Sequence, residues 1–252
     1  MELLIVLIAL LVSAIFSMLG LGGAIIYTPL FFWLNVPLLA AVTMALLLNS
    51  ITAASASMTY LKHRLVDRRV AFPIILTSIL GALTGSYLAP RVETRIIILL
   101  LSIILFLASI RILFFNSLCF SSKSIDRKTP YLNTRFIGAV AGFFIGVVSS
   151  LVGIGGGTFI VPLLLILGFE TKNAVATSSF IITFMSLSGF IGHLNFETQQ
   201  LDVGLLLYAG VAAFIGAQAG SRAFRRTSPR TIERMFAVVL LLMVGKLLYG
   251  LM

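Results

Sequence analysis

Two short strings in this 252-residue chain carry backbone chemistry: Gly20-Leu21-Gly22-Gly23 and Gly153-Ile154-Gly155-Gly156-Gly157. Each interrupts an apolar stretch. Glycine is weak in helices and admits left-handed backbone, so a helix is expected to break at both strings. A new helix then starts near Ala24 and near Thr158. Helix starts present free N–H groups and partial positive charge. Consecutive glycine N–H groups can also form a nest for an anion. The chemistry suggested is recognition of a small anion by Gly22, Gly23, Gly155, Gly156, Gly157 and Thr158. Close helix packing is the simpler use of such glycines. Nucleotide binding is excluded: neither string follows a soluble strand or contains the Gly-Lys-Ser/Thr of a phosphate-binding loop.

Polar side chains lie inside two other apolar blocks. Residues 38–61 include Thr43, Asn49, Ser50, Thr52, Ser55, Ser57 and Thr59, and residues 173–194 include Thr177, Ser178, Ser179, Thr183, Ser186 and Ser188. A single Ser or Thr commonly bonds a carbonyl one turn back. Asn49 is more informative, because a buried amide needs several partners. Uncharged donors suit an anion that must also leave, so Asn49, Ser50, Thr177, Ser178 and Ser179 join the glycines as a substrate-binding set. His193, at the end of its block, is a candidate for a proton or pH role, with an interfacial histidine as the plainer alternative.

The residues that are missing narrow the function. No Asp, Glu, Lys or Arg lies clearly mid-block, so the intramembrane carboxylate of a cation or proton relay is lacking. Ser149 and Ser150 flank a glycine break without the Gly-x-Ser-Gly form of an intramembrane protease, so no enzyme is expected. Cys119 is the single cysteine. It cannot close an internal disulfide or build a metal site alone. No metal and no cofactor are expected.

Hydrophobic residues make up 60% of the chain and charged residues 10%. Soluble domains are about a quarter charged, so lipid is the solvent that fits. The net charge of +10 reflects loops between apolar blocks and calls for no nucleic-acid partner. A spanning helix needs about 20 apolar residues. Blocks 38–61, 70–90, 96–115, 173–194, 203–221 and 235–251 are long enough. Four shorter blocks, 2–19 with 24–34 and 136–152 with 158–168, form two pairs split by the glycine strings. Block 2–19 carries Glu2 and no basic start or small-x-small cleavage site, so it reads as mature protein rather than a signal peptide.

The chain also looks duplicated. Gly20–Pro29 (GLGGAIIYTP) matches Gly153–Pro162 (GIGGGTFIVP), and Gly81–Ser86 (GALTGS) matches Gly216–Ser221 (GAQAGS). The reading is a first membrane repeat over 1–115, a basic linker over 116–134 and a second repeat over 135–252. Cytoplasmic loops collect Lys and Arg. If each broken pair turns back on itself, as a re-entrant hairpin or two short crossings, all 18 basic residues except Arg91, Arg95 and Lys246 fall on one side. If each pair is one crossing, the charges split almost evenly. The expected architecture is an all-α polytopic protein of two inverted repeats. Each contains a glycine-broken hairpin and three transmembrane helices. The linker is cytoplasmic, both termini are outside, and no oligomeric state is specified.

The strings GIGGGTFIVPLLLILG and NAVATSS, with GLGGAIIYTPLFFWL and VDRRVAFPIILTSILGALTGSYLAP in the first half, resemble the TauE/SafE, or sulfite exporter, family. The resemblance covers nearly the whole chain. It implies a cell-membrane transporter for a sulfur-containing or related organic anion, such as sulfite, thiosulfate, sulfoacetate or a sulfonate. An anion-selective channel is the alternative. Carried over by position, the glycine breaks and Thr177–Ser179 face substrate. Ala24 stands where the second half has Gly157, and Thr43-Met44-Ala45 replaces the expected Thr-Ser pair. The halves are therefore expected to contribute unequally.

Overall fold

The computed structural model describes residues 2–34, 36–93, 95–97, 99, 103, 131–194 and 203–223. Helices run α1 Glu2–Leu19, α2 Ala24–Trp33, α3 Leu38–Lys62, α4 Arg68–Leu88, α5 Tyr131–Val152, α6 Gly157–Ile166, α7 Thr171–Leu194 and α8 Val203–Ala223, with a 3-10 turn at Ala89–Arg91. Among the described residues there is no strand. The blocks 96–115 and 235–251 and most of the linker lie outside them. The first residues of α5, from Tyr131, fall in the stretch read as linker.

Leu38–Lys62, Arg68–Arg91, Arg135–Val152 and Lys172–Leu194 are long and apolar enough to cross a membrane. The exposed face of α4 reads Phe72, Leu76, Leu80, Leu83 and Tyr87. That stripe has helical spacing and faces away from the core, as a lipid-facing surface does. The chain is a multi-pass membrane protein.

Helix directions follow from which residues touch. Tyr27 Oη donates to Ala9 O at 3.1 Å. Were α2 to continue α1 onward, 18 residues of helix would separate these groups by about 27 Å. So α2 doubles back along α1, and the first glycine break is a hairpin turn. In the centre, Leu46 lies against Gly189, Asn49 Nδ2 donates to Ser186 Oγ, and Ser50 Oγ donates to Thr183 O. The partner number falls as the α3 number rises, so α3 and α7 run antiparallel.

The outer pairs run parallel. Gly81 and Gly85 of α4 let the backbone of Phe143 and Val147 in α5 approach closely; Gly216 and Gly220 of α8 do the same for Leu10 and Ala14 of α1. Any side chain at these four positions meets a backbone carbonyl, so small residues here set the helix spacing, as they do in membranes generally.

These contacts recur at a constant chain offset. Gly20 sits on Val175 and Gly153 on Val42. Tyr60 Oη donates to Ser17 O at 2.8 Å, and His193 Nε2 lies 2.9 Å from Ser150 O. Ser50 and Thr183, themselves 133 residues apart, touch each other.

Candidate functional site

The two glycine breaks meet at the middle of the molecule. Gly20, Gly22, Gly153, Gly155 and Gly156 all have positive φ, from +67° to +84°, a region that only glycine adopts without strain. A Cβ at Gly155 would meet Asn49 Nδ2 and Ala24, and one at Gly157 would meet Leu21 O. The breaks are thus packed on each other, with no room for larger residues.

Asn49 lies between them, fully buried. Its Oδ1 accepts from Gly23 N at 2.6 Å and Ala24 N at 3.0 Å. Its Nδ2 donates to Ser186 Oγ at 2.7 Å and reaches Gly155 O at 3.4 Å. The side chain therefore caps α2 from another helix and spends its full donor and acceptor capacity on the junction. Sequence reasoning singled out Asn49 as an amide that needs partners. It did not see that Asn49 would occupy the Gly23 N–H that it also offered to substrate.

The remaining first-choice hydroxyls are engaged with backbone. Ser50 Oγ donates to Thr183 O at 3.1 Å. Thr177 Oγ1 accepts from Asp67 N at 3.1 Å, tying the loop before α4 to the start of α7. Ser178 Oγ donates to Gly20 O and Val175 O, each at 2.9 Å. Ser179 Oγ donates to Val175 O at 3.0 Å. Ser178 has a counterpart from the other half: Thr28 Oγ1 donates to Gly153 O at 2.6 Å. The hydroxyls of α2 and α7 thus each hold the first carbonyl of the opposite break, where a helix end leaves it without a partner.

His193 is buried. Its Nε2 must carry the proton it shares with Ser150 O, because a carbonyl only accepts. Nδ1 is buried without a hydrogen-bond partner.

The second break differs from the first. No described side chain caps α6 as Asn49 caps α2. Ser149 Oγ and Thr158 Oγ1 are buried beside it without a hydrogen-bond partner. Ser149 was passed over in the sequence because it lacks a nucleophile motif. Its adjacency to the break was the signal available. Among the described residues no three His, Cys, Asp or Glu side chains converge to hold a metal. An open groove of about 470 Å³ between α3, α7 and α8, lined by Leu47, Ile51, Phe190, Leu206, Gly210 and Phe214 among others, is apolar and offers no ligand chemistry of this kind.

Known proteins match this sequence along nearly its full length. The chain is 27% identical over 264 residues to the "Probable membrane transporter protein YunE" of Bacillus subtilis, covering 97% of this chain and 96% of that one. It is 27% identical over 231 residues to "Probable membrane transporter protein ORF9" of a Sinorhizobium species, covering 90% and 85%. It is 22% identical over 251 residues to "Probable membrane transporter protein MJ0441" of Methanocaldococcus jannaschii, covering 94% and 91%. No solved structure matches the chain. The family profile described as sulfite exporter TauE/SafE matches residues 5–247, and the chain belongs to that family.

Proposed function

We propose that this protein is a secondary transporter that moves a small, sulfur-containing anion across the cell membrane through a site at the junction of its two glycine breaks. Sulfite, thiosulfate, sulfoacetate and sulfonates are the class in view. The carrying observation is the junction itself: two broken helices from corresponding places in the chain meet at the middle of the antiparallel pair α3 and α7. Discontinuous helices meeting at the midplane between repeats are where secondary transporters bind their cargo. The family and the names of the relatives support transport. The junction is closed among the described residues, which suits a carrier in an occluded state.

The same reading takes the two halves as inverted repeats, 1–115 and 135–252, around a cytoplasmic linker with both termini outside. The fold-back of α2 gives the first broken pair no net crossing, and equivalent helices α3 and α7 run in opposite directions. Both features support the orientation that gathers nearly all the basic residues on one side.

The test is uptake by proteoliposomes containing the purified protein, with the four sulfur anions and acetate as a non-sulfur comparison. Saturable uptake of at least one sulfur anion is expected. If none moves or stabilises the protein, the proposal is wrong. Non-saturating flux with single-channel currents would replace the carrier by an anion channel.

A further inference from the structure

We infer that the two breaks do not share the cargo equally: a single pocket for a monoanionic –SO3 group lies at the start of α6, with Ser149 as a ligand. This inference rests on the transport reading above and assigns the substrate-binding groups within it.

Three observations carry it. The first is occupancy. At the start of α2, the acceptor place is taken by Asn49 Oδ1, at 2.6 and 3.0 Å from Gly23 N and Ala24 N. Among the described residues no side chain accepts from Gly156 N or Gly157 N at the start of α6. That helix is 10 residues long, enough for its first N–H groups to act together on an anion.

The second is an orphaned donor. Ser149 is 1% exposed, and its Oγ has no hydrogen-bond partner. It lies 3.1 Å from the point where a Cβ would stand on Gly156, the residue that caps α6. Buried hydroxyls nearly always find a partner, so one that points at a helix start without one marks a place for a missing ligand. Thr158 Oγ1, in the first turn of α6, is buried and unpartnered as well.

The third is asymmetry at equivalent positions. The residues 133 before Ser149, Gly157 and Thr158 are Phe16, Ala24 and Ile25. The first half is apolar and capped by Asn49 where the second carries hydroxyls and Met185 lies over Gly156. Met185 supplies a cover: its Cε lies over Gly156, with Sδ 3.2 Å from the same point. A thioether is flexible enough to turn aside when cargo enters.

The chemistry of the donors selects the charge of the cargo. Two N–H groups and two hydroxyls are all neutral. The nearest described basic residue on α5 is Arg135, 14 residues from Ser149 and so about 21 Å away along the helix. A dianion in such a place keeps a large uncompensated desolvation penalty and a monoanion much less, so within the class proposed above hydrogensulfite and simple sulfonates are favoured over the dianions thiosulfate and sulfoacetate.

The experiment compares radiolabelled methanesulfonate, a fixed monoanion, with sulfate, a dianion, in proteoliposomes holding the full chain. Wild type is expected to take up methanesulfonate saturably and sulfate at least tenfold less well. S149A, and T158V with its unchanged shape, are expected to raise KM for methanesulfonate about tenfold, the loss of one hydrogen bond to a charged group. T158S keeps the hydroxyl and is expected to match wild type. S13A, whose hydroxyl bonds Leu10 O in its own helix, is the control. Each variant is checked for a single monodisperse species, and T158V carries the test if S149A misfolds. A preference for sulfate, or an unchanged KM in a folded S149A or T158V, overturns the pocket while leaving the transport reading intact. Wild type that moves no sulfur anion at all removes both.

Discussion

Tyr60 and His193 do the same work 133 residues apart in the chain. Tyr60 Oη donates to Ser17 O at 2.8 Å, and His193 Nε2 lies 2.9 Å from Ser150 O. Both accepting carbonyls lie in the last turn or so before a glycine break, where intrahelical donors run out. A phenol and an imidazole thus make the same kind of contact with a carbonyl just before a glycine break.

That equivalence makes a positioning role for His193 testable. His193→Gln keeps a donor near the Nε2 position and is expected to retain stability and the pH profile of transport. His193→Leu leaves Ser150 O unsatisfied, and a cost of about 1–3 kcal/mol is expected. Thermal unfolding in detergent measures the first effect. Uptake across pH measures the second, and a profile altered in a folded His193→Gln would point back to a proton role.

Asn49 is the junction's most connected side chain. Asn49→Ala removes the acceptor for Gly23 N and Ala24 N and the donor to Ser186 Oγ. Each buried group left without a partner costs about 1–3 kcal/mol, so Asn49→Ala is expected to be among the most destabilising single changes. Asn49→Asp keeps the acceptor and loses the donors, and should fall between Ala and wild type. Equal stability of all three proteins would refute the capping role.

The glycines separate into two kinds. Gly85→Ala and Gly220→Ala put a methyl against the backbone of Val147 and Ala14 respectively, and neither carbonyl can move without its helix. Both substitutions are expected to weaken the fold strongly and to similar degrees. Gly168 has φ +87° but nothing within 4 Å of an added Cβ. Gly168→Ala is therefore expected to cost only the backbone term, about 1 kcal/mol, and Gly168→Asn less. Ranking the variants by unfolding temperature checks the distinction.

Orientation can be read with one native thiol. Cys119 is the single cysteine and lies in the basic linker, outside the described residues. A membrane-impermeant maleimide is expected to label it only after cells are permeabilised. In a Cys119→Ser background, His63→Cys should behave like Cys119, while Val92→Cys should label in intact cells. Labelling of Cys119 from outside would reverse the orientation.

Much of the architecture was legible because it depends on local composition. Apolar block lengths pointed to membrane helices, and α3, α4 and α7 lie where those blocks lie. The glycine strings marked both breaks, since few residues besides glycine accept φ near +70° to +80°. Block 136–152 reads as the short arm of a broken pair, whereas α5 runs for 22 residues from Tyr131 to Val152.

The site was less legible, because hydrogen bonding between distant segments has no periodicity. Ser50, Thr177, Ser178 and Ser179 share one look in the sequence with Ser149 and Thr158. Tertiary packing gave the first four a backbone partner and left the last two with none. The sequence by itself determined the solvent, the helix breaks and the family, since each rests on residue type along the chain. Only the folded structure decided that α2 turns back on α1, that α3 and α7 cross antiparallel, and that Asn49 caps one helix start while Ser149 and Thr158 beside the other keep hydroxyls without a partner. Those outcomes depend on which atoms come within about 3 Å of each other, and residues 26 to 137 positions apart meet only when the helices pack.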